Sequence, residues 1–258
     1  MLRGLYTGWT GMVNEQKRLD VISNNMANAD TVGFKDDRVT SQAFDQVLGI
    51  KIRDGSQAYH NECIGSLSLG VKIGETYTDY SQGSVRQTGG TYDLALSGSG
   101  FFTVSVTDKA GEVHTRYTRD GRFHLTKDGL LVDADGNAVQ GQNGNITIDP
   151  SSKNVSISAT GQITADGELV DTLNIVDFED YDYLKKYGDT MYEPVDGATT
   201  KDAEGEILQG YTEQSNVNVV REMVDMITIT RAYEAGQKVI RSYDSMLDKS
   251  VNQVGALK

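Results

Sequence analysis

The sequence predicts a mainly β protein with long α-helices at its two ends. Residues 1–26 and 218–254 carry apolar side chains at helical spacing, whereas the residues between them form short alternating runs rich in Gly, Ser, Thr and Asp. The chain also has 28 glycines and two prolines, a ratio that favours many tight turns. We expect the terminal helices to pair as a coiled-coil-like axial domain beside a central antiparallel β-domain.

Four segments are expected along the chain. Residues 1–44 would form an N-terminal axial helix followed by a turn, and 45–90 a linker or extended hairpin. Residues 91–210 would form the central β-domain, and 211–258 a C-terminal axial helix. The order helix, strands, helix places the two long helices where they can meet.

The N-terminal helix has an apolar stripe and three glycines on one face. The stripe comprises Leu2, Leu5, Trp9, Met12, Leu19 and Met26, widened by Val13 and Ile22. Gly4, Gly8 and Gly11 are spaced so that another helix could approach closely along that face. The helix is predicted to end near Asn28, with Gly33 in a turn and Phe34 folding back as an apolar anchor.

The C-terminal segment repeats this pattern over a greater length. Its predicted heptad frame comprises Val219, Met223, Met226, Thr230, Tyr233, Gln237, Ile240, Asp244, Leu247, Val251 and Val254. Asn218 or Ser215 is a plausible N-cap. The seam is imperfect, because Thr, Gln and Asp occupy core-type positions. A long helix lying on a sheet is the alternative.

The middle of the chain predicts a meander of short strands joined by tight turns. Five dipeptides of the Asp-Gly or Asn-Gly type predict hairpins: 120–121, 128–129, 135–136, 143–144 and 166–167. Whether the strands form an open sandwich or a closed barrel stays open.

The charge of the chain is concentrated in its middle. The formal net charge is −13, and residues 45–215 carry −14, against 0 for residues 1–44 and +1 for residues 216–258. An acidic surface disfavours nucleic acid as a partner. Neutral ends suit close packing of many copies. The N-terminus has no continuous apolar stretch, so neither a cleaved signal peptide nor a membrane-inserted helix is expected.

No motif predicts catalysis, a cofactor or a metal. The run DADGN at 133–137 lacks the distal ligands of a calcium loop, and Gly98-Ser99-Gly100 lacks the features of a nucleotide loop. His60, His114 and His124 are not spaced as metal ligands, and Cys63 is the one cysteine. We therefore expect a protein that is not an enzyme and has no cofactor.

Three segments resemble bacterial flagellar rod and hook proteins. They are LDVISNNMANADTVGFK at 19–35, SGSGFFTV at 97–104 with YTRDGRFHLTKDGLLVDADGNAVQG at 117–141, and QGYTEQSNVNVVREMVDMITITRAYEAGQKVIRSYDSML at 209–247. The resemblance is to a basal-body rod protein, of the distal rather than the proximal rod type. It implies a structural subunit that assembles with its own copies and with other rod and hook axial proteins into a torque-transmitting tube around an export channel. It also implies passage through the flagellar export apparatus with an uncut N-terminus.

The resemblance gives the helical ends a role in assembly. The expected packing residues are Leu5, Trp9, Met12, Leu19, Ile22, Met26, Met223, Met226, Tyr233, Ile240 and Leu247. Residues Asn24, Asn25, Asn28, Gly33 and Phe34 would shape the exit from the first helix. Two other classes stay open: a secreted β-rich adhesin or carbohydrate-binding module with a helical stalk, and a hydrolase using a pair of carboxylates.

Overall fold

A computed structural model describes residues 2–51, 62–108, 111–152 and 154–254. Helix α1 spans Leu2–Ala27 and helix α2 spans Val219–Lys249, followed by a π-helical turn at Ser250–Val254. The first helix therefore ends one residue before Asn28, and the second begins directly after Asn218, as the sequence predicts. A 3-10 turn lies at Tyr181–Tyr183.

Short strands fill the residues between the helices. In chain order they are β1 Asp36–Ala43, β2 Val47–Lys51, β3 Glu62–Leu67, β4 Val71–Asp79, β5 Val85–Gln87, β6 Leu94–Ser97, β7 Phe101–Thr107, β8 Val113–Thr118, β9 His124–Leu125, β10 Leu131–Val132, β11 Ala138–Gly141, β12 Gly144–Asn145, β13 Val155–Ile157, β14 Gln162–Ala165, β15 Glu168–Thr172, β16 Ile175–Phe178, β17 Leu184–Tyr187, β18 Met191–Pro194, β19 Thr200–Asp202, β20 Glu206–Gln209 and β21 Tyr211–Glu213.

The chain divides into two compact units. Residues 1–26, 37–77 and 219–258 form the first, which we call the helical unit, and residues 27–36 and 78–218 form the second, the β unit. The helical unit holds α1 and α2, and its strands pair as β1 with β4 and β2 with β3. The prediction of terminal helices around a central β region is confirmed at this level.

The largest sheet of the β unit has ten strands among the described residues. Its main path runs β17-β18-β8-β7-β11-β10-β9, with β16 and β19 joined beside β7 and β12 beside β11. Every pairing given for it is antiparallel, as the sequence predicts. Along this path β17 and β9 are the ends, so the described strands form an open sheet.

Strand β7 explains why the sheet buries both of its faces. Its side chains alternate, so Phe102 and Val104 enter one hydrophobic cluster while Phe101 enters another. The first cluster also holds aliphatic residues such as Ile146 and Ile163. The second is mainly aromatic, with the ring centroids of Phe101 and Tyr192 5.5 Å apart.

Four of the five predicted turns join paired strands. Residues 128–129 join β9 to β10, 135–136 join β10 to β11, 143–144 lie where β11 meets β12, and 166–167 join β14 to β15. The hairpin predicted at 120–121 is wrong, because the flanking strands β8 and β9 pair with other strands. Gly121 instead accepts a hydrogen bond from the Leu94 N–H at 2.9 Å, and its bare Cα lets the chain cross the Leu94 carbonyl.

Candidate assembly surface and helix junctions

The less exposed side chains of α2 follow a regular heptad pattern. They are Val219, Glu222, Met226, Ile229, Tyr233, Gly236, Ile240, Tyr243 and Leu247, at alternating spacings of three and four, with Asp225 beside them. The sequence-predicted frame is correct at Val219, Met226, Tyr233, Ile240 and Leu247. It is wrong at the positions between them, because Met223, Thr230, Gln237, Asp244 and Val251 are exposed.

Glycines bring the two helices of the helical unit into contact. The Cα of Gly4 lies against the ring of Tyr243, and that of Gly8 lies against Ile240. On the facing helix, Gly236 lies against Met12. Residue numbers rise along α1 as they fall along α2, so the helices run antiparallel. The prediction that α1 glycines permit close helix approach is confirmed at Gly4 and Gly8, whereas Gly11 faces open space.

The predicted packing residues separate into two groups. Half-buried members are Leu5, Met12, Leu19, Ile22, Met26, Met226, Tyr233, Ile240 and Leu247. Trp9 and Met223 are different, because 54% and 49% of their surfaces are exposed. Contacts within one chain therefore account for part of the apolar pattern and leave part of it open to solvent.

Seven further large apolar side chains of the two helices are exposed among the described residues. Tyr6 and Val13 lie on α1 with Trp9, and Val220, Val224, Ile227, Val239 and Met246 lie on α2 with Met223. Tyr6 and Val220 are exposed by 63% and 73%. Sequence reasoning missed most of them because it assumed one apolar stripe on each helix. The signal was present as a second stripe at spacings of three and four.

A cleft of about 240 Å³ lies beside the helices in the helical unit. Its walls mix charges, with Arg18 on α1, Arg38 on β1, and Arg221, Glu222 and Asp225 on α2. The small net charge of the two chain ends, 0 and +1, thus includes charges of both signs that lie close together.

Asn25, also in this cleft, fastens the end of α1 to the start of β1. Its Nδ2 donates to the Asp37 carbonyl at 2.8 Å, and its Oδ1 accepts from the Asp37 N–H at 3.2 Å. Asn24 is exposed on the last turn of α1. The Asn28 carbonyl and side chain accept from the N–H and hydroxyl of Thr31 at 3.2 and 3.1 Å. The side chains of Asn25 and Asn28 thus bind residues that follow the helix.

Gly33 and Phe34 fix the next step of the chain in the β unit. Gly33 has φ +72°, and its Cα lies directly against the backbone of Asp120. Its N–H donates to the Glu213 carbonyl at 2.9 Å. Phe34 is fully buried, with Lys186 Nζ 4.0 Å from its ring centroid. The predicted turn and the predicted apolar anchor are both confirmed.

A buried charge cluster, which the sequence did not predict, follows Phe34. Lys35 Nζ lies 2.6 Å from Glu213 Oε1, and Arg119 Nη1 lies 3.3 Å from Glu213 Oε2. All three side chains are at most 4% exposed. Lys35 lies eight residues beyond the end of α1, and Glu213 lies six residues before α2 begins.

Backbone groups supply further hydrogen bonds to this cluster. Lys35 donates to the Ser81 carbonyl at 2.8 Å, Arg119 donates to the Gly98 carbonyl at 2.9 Å, and Glu213 accepts from the Gly83 N–H at 2.9 Å. Burial lowers the pKa of the Lys35 ammonium because it removes hydration, and the Glu213 carboxylate opposes that shift. The cluster joins the two chain segments that lead from and to the helices. The sequence held one indication of this cluster, Lys35 at the end of the motif 19–35. No sequence pattern indicated that Glu213 would be its partner.

Acidic side chains of the β unit serve its turns. Asp133 Oδ1 accepts from the N–H groups of Asp135 and Asn137 at 2.9 and 3.0 Å, so the turn interpretation of residues 133–137 is confirmed. Burial raises the pKa of Asp120 to about 6, although its Oδ1 accepts from the Arg122 N–H at 3.0 Å. Within the described ranges, no group of His, Cys, Asp and Glu side chains could hold a metal ion.

The histidines and the cysteine are the remaining residues that the sequence offered as candidates for a chemical role. His124 is exposed and His114 is half-exposed, in agreement with a surface location. His60 lies outside the described residues, and so does the side chain of Cys63. Among the helices that the structure describes, none is long and apolar enough to cross a membrane.

Comparison with known proteins identifies the class first. Residues 5–35 match the family of flagella basal body rod proteins, residues 95–165 the D1 domain of flagellar hook protein FlgE/F/G, and residues 208–254 the C-terminal region of flagellar basal body rod FlgEFG proteins. These segments contain α1 with its exit, much of the β unit, and α2. They place the chain in the class of flagellar rod and hook proteins.

Full-length relatives then give the family. The chain is 36% identical to the flagellar basal-body rod protein FlgG of Bacillus subtilis, covering 98% of this chain and 99% of that protein. It is 33% identical to FlgG of Agrobacterium fabrum over 95% of this chain and 97% of that one, and 32% identical to FlgF of Caulobacter vibrioides over the whole of both. The chain belongs to the flagellar basal-body rod protein family.

Proposed function

We propose that this protein is a structural subunit of the flagellar rod, which assembles with its own copies and with other rod and hook axial proteins into a helical tube. The relatives named FlgG favour the distal rod type. Torque transmission and enclosure of an export channel would follow from the tube. The subunit would reach its place through the flagellar export apparatus with its N-terminus uncut.

The exposed apolar side chains of both helices carry this proposal. Each helix uses one side for contacts within the chain and leaves Trp9 or Met223 with about half of its surface in water. Apolar surface of this extent on a helix favours burial against another molecule. Pairing of the two helices as a coiled-coil-like axial domain is part of the same proposal.

The acidic β unit supports a place on the outside of the tube. Many copies could bring their nearly neutral ends together without strong repulsion, whereas segments carrying −14 each would repel at close range. The buried cluster of Lys35, Glu213 and Arg119 holds the two chain segments next to the helices firmly in the β unit. Such an anchor would limit twisting of those segments under torque.

Deletion of residues 2–27 tests the proposal. We expect the shortened chain to keep a folded β unit, as measured by circular dichroism, but to form no tubes in electron micrographs. In a strain without the full-length protein, the shortened chain should fail to restore motility. The control is Leu169→Ala, which changes an exposed apolar residue of β15 and should leave motility intact. Normal assembly of the shortened chain would contradict the proposal, and binding of carbohydrate by it would favour the adhesin alternative.

A further inference from the structure

The hairpin of β11 and β12 contains the one Asn-Gly sequence of the chain, Asn143-Gly144. Both residues are exposed, and the Cα of Gly144, at φ +119°, faces open space. An asparagine followed by glycine can react with the backbone, because glycine has no Cβ to hinder attack of its nitrogen on the preceding side chain. The hairpin therefore combines a reactive sequence with an open surface.

The side-chain amide of Asn143 binds a buried carboxylate. Asn143 Nδ2 donates to Asp171 Oδ1 at 2.9 Å, and Asp171 is 8% exposed. Because Asp171 lies on β15, this hydrogen bond joins the largest sheet to the sheet of β13, β14 and β15. Asp171 Oδ1 also accepts from the Thr172 N–H at 2.8 Å, and Oδ2 fills the space where a side chain of Gly141 would lie. The carboxylate is thus held beside the amide nitrogen.

We propose that Asn143 deamidates spontaneously in the folded protein and that Asp171 assists the reaction. The Gly144 backbone nitrogen gives up its proton and forms a bond to Asn143 Cγ, while the Cγ–Nδ2 bond breaks and the amide leaves as ammonia. Water then opens the five-membered imide at either carbonyl, giving aspartate or isoaspartate. One amide and one water become one carboxylic acid and one ammonia, so the reaction needs neither an oxidant nor a cofactor.

The position of Asp171 favours departure of the amide nitrogen. This nitrogen must gain a proton, and with it positive charge, before its bond to Cγ breaks. Asp171 Oδ1 lies at hydrogen-bond distance from the same nitrogen, so its negative charge stabilises the positively charged form. A carboxylate that is already fixed in place does so without reorganisation. Asp171 is therefore the catalytic residue of a reaction of the chain with itself.

Deamidation removes the link that the amide makes between the two sheets. An ionised carboxylate at position 143 cannot donate to Asp171, and two carboxylates at this distance repel each other. Isoaspartate also lengthens the backbone of a hairpin in which Gly141 pairs with Gly144. We expect the connection between the sheets to weaken as the protein ages.

Mass spectrometry of tryptic peptides measures the reaction directly. The purified full-length protein is kept folded in mildly alkaline buffer and sampled over time. The tryptic peptide of residues 128–153 contains Asn137, Asn143 and Asn145, which fragmentation distinguishes. We expect conversion at Asn143 to be at least about tenfold faster than at either of the other two.

The other two asparagines separate the effects of sequence and of structure. Asn137 also donates to a carboxylate, Asp133 Oδ2 at 3.1 Å, but alanine follows it. Asn145 is exposed in the same hairpin, but isoleucine follows it. Equal rates at the three positions, or no conversion at Asn143 while the protein stays folded, would overturn the proposal.

Replacement of Asp171 tests its catalytic role. Asp171→Asn removes the charge but keeps an oxygen that can accept from the Asn143 amide, and it should slow conversion about tenfold. The control is Glu168→Gln, which removes an exposed carboxylate from the same strand and should leave the rate within about twofold. Circular dichroism checks that both variants are folded. An unchanged or faster rate in folded Asp171→Asn would overturn the catalytic role of Asp171.

Variants that carry the product side chain give a test that does not depend on the reaction rate. Asn143→Asp should lower the midpoint of urea denaturation at neutral pH, because two carboxylates then face each other. Asn145→Asp adds the same charge to the hairpin and should leave the midpoint unchanged. Addition of Asp171→Asn to Asn143→Asp should restore the midpoint, because one amide again donates to one carboxylate. Equal effects of the two single variants, or no restoration in the double variant, would overturn the proposed loss of the link.

Discussion

Lys35 Nζ lies 2.6 Å from Glu213 Oε1, and the two side chains are almost completely shielded from water. Arg119 binds the same carboxylate, so the cluster has two basic side chains for one acidic side chain. Such a cluster is costly to break, because a charge that loses its partner in a buried site has no water to replace it.

Replacement of Glu213 should therefore destabilise the protein strongly, because Lys35 and Arg119 would both lose their buried counter-charge. We expect Glu213→Gln to lower the free energy of unfolding by about 3 kcal/mol, measured by urea denaturation. Asp20→Asn serves as the control, because Asp20 Oδ2 and Lys17 Nζ form an exposed pair at 3.8 Å. That change should cost less than about 1 kcal/mol. Similar effects of the two variants would show that the buried cluster contributes little.

Gly33 should tolerate no side chain. Gly33→Ala places a Cβ at φ +72° and against the backbone of Asp120, so we expect a loss of at least about 2 kcal/mol in unfolding free energy. Gly136 has φ +87° but faces open space, and Gly136→Ala should cost only about 1 kcal/mol. Thermal denaturation of both variants checks the difference, and equal losses would mean that crowding at Asp120 is unimportant.

The glycines of α1 should differ in their tolerance of leucine. Gly8→Leu would force α1 away from Ile240 and should cost about 1–3 kcal/mol, followed by circular dichroism of the helices. Gly11→Leu, one helical turn further, meets open space and should be neutral or stabilising by up to about 1 kcal/mol. A stabilising effect at both positions would show that the helix contact at Gly8 is weak.

The Asp120 carboxyl should make stability depend on pH. Its pKa is about 6 in the folded chain against an ordinary 3.8, so the folded state retains a proton that the unfolded state loses between pH 4 and pH 6. The contribution of this group to the free energy of unfolding therefore falls as the pH rises from 4 to 6. Above pH 6 the buried carboxylate lowers the free energy of unfolding by up to about 3 kcal/mol.

Asp120→Asn tests this dependence, because the amide oxygen can still accept the Arg122 N–H. The variant should be more stable than the parent by about 1–3 kcal/mol at pH 7.5 and should lose most of that gain at pH 4. Urea denaturation at the two pH values checks it. Asp128→Asn, at an exposed Asp-Gly turn, is the control and should show no such change. A gain that is the same at both pH values would contradict the assignment.

The sequence predicts the helices and most of the turns, because these depend on local spacing and local chemistry. Helix α1 ends within one residue of the predicted position, and the turn at Asp128-Gly129 joins paired strands. The heptad frame of α2 misses Gly236 and Glu222, because neither has the apolar side chain that such a frame looks for, and Gly236 is recognised only by its contact with Met12. The contact of Lys35 with Glu213 could not be predicted for the same reason, as the choice of a distant partner depends on the whole fold.

The separation of Lys35 and Glu213 in the sequence has a consequence for how the chain acquires its structure. The two residues are 178 positions apart, so most of a growing polypeptide must be available before this contact can form. Until then the Lys35 ammonium remains in water and the segments next to the helices stay untied. We therefore expect completion of the junctions to be a late folding event, which a chain truncated before Glu213 cannot reach.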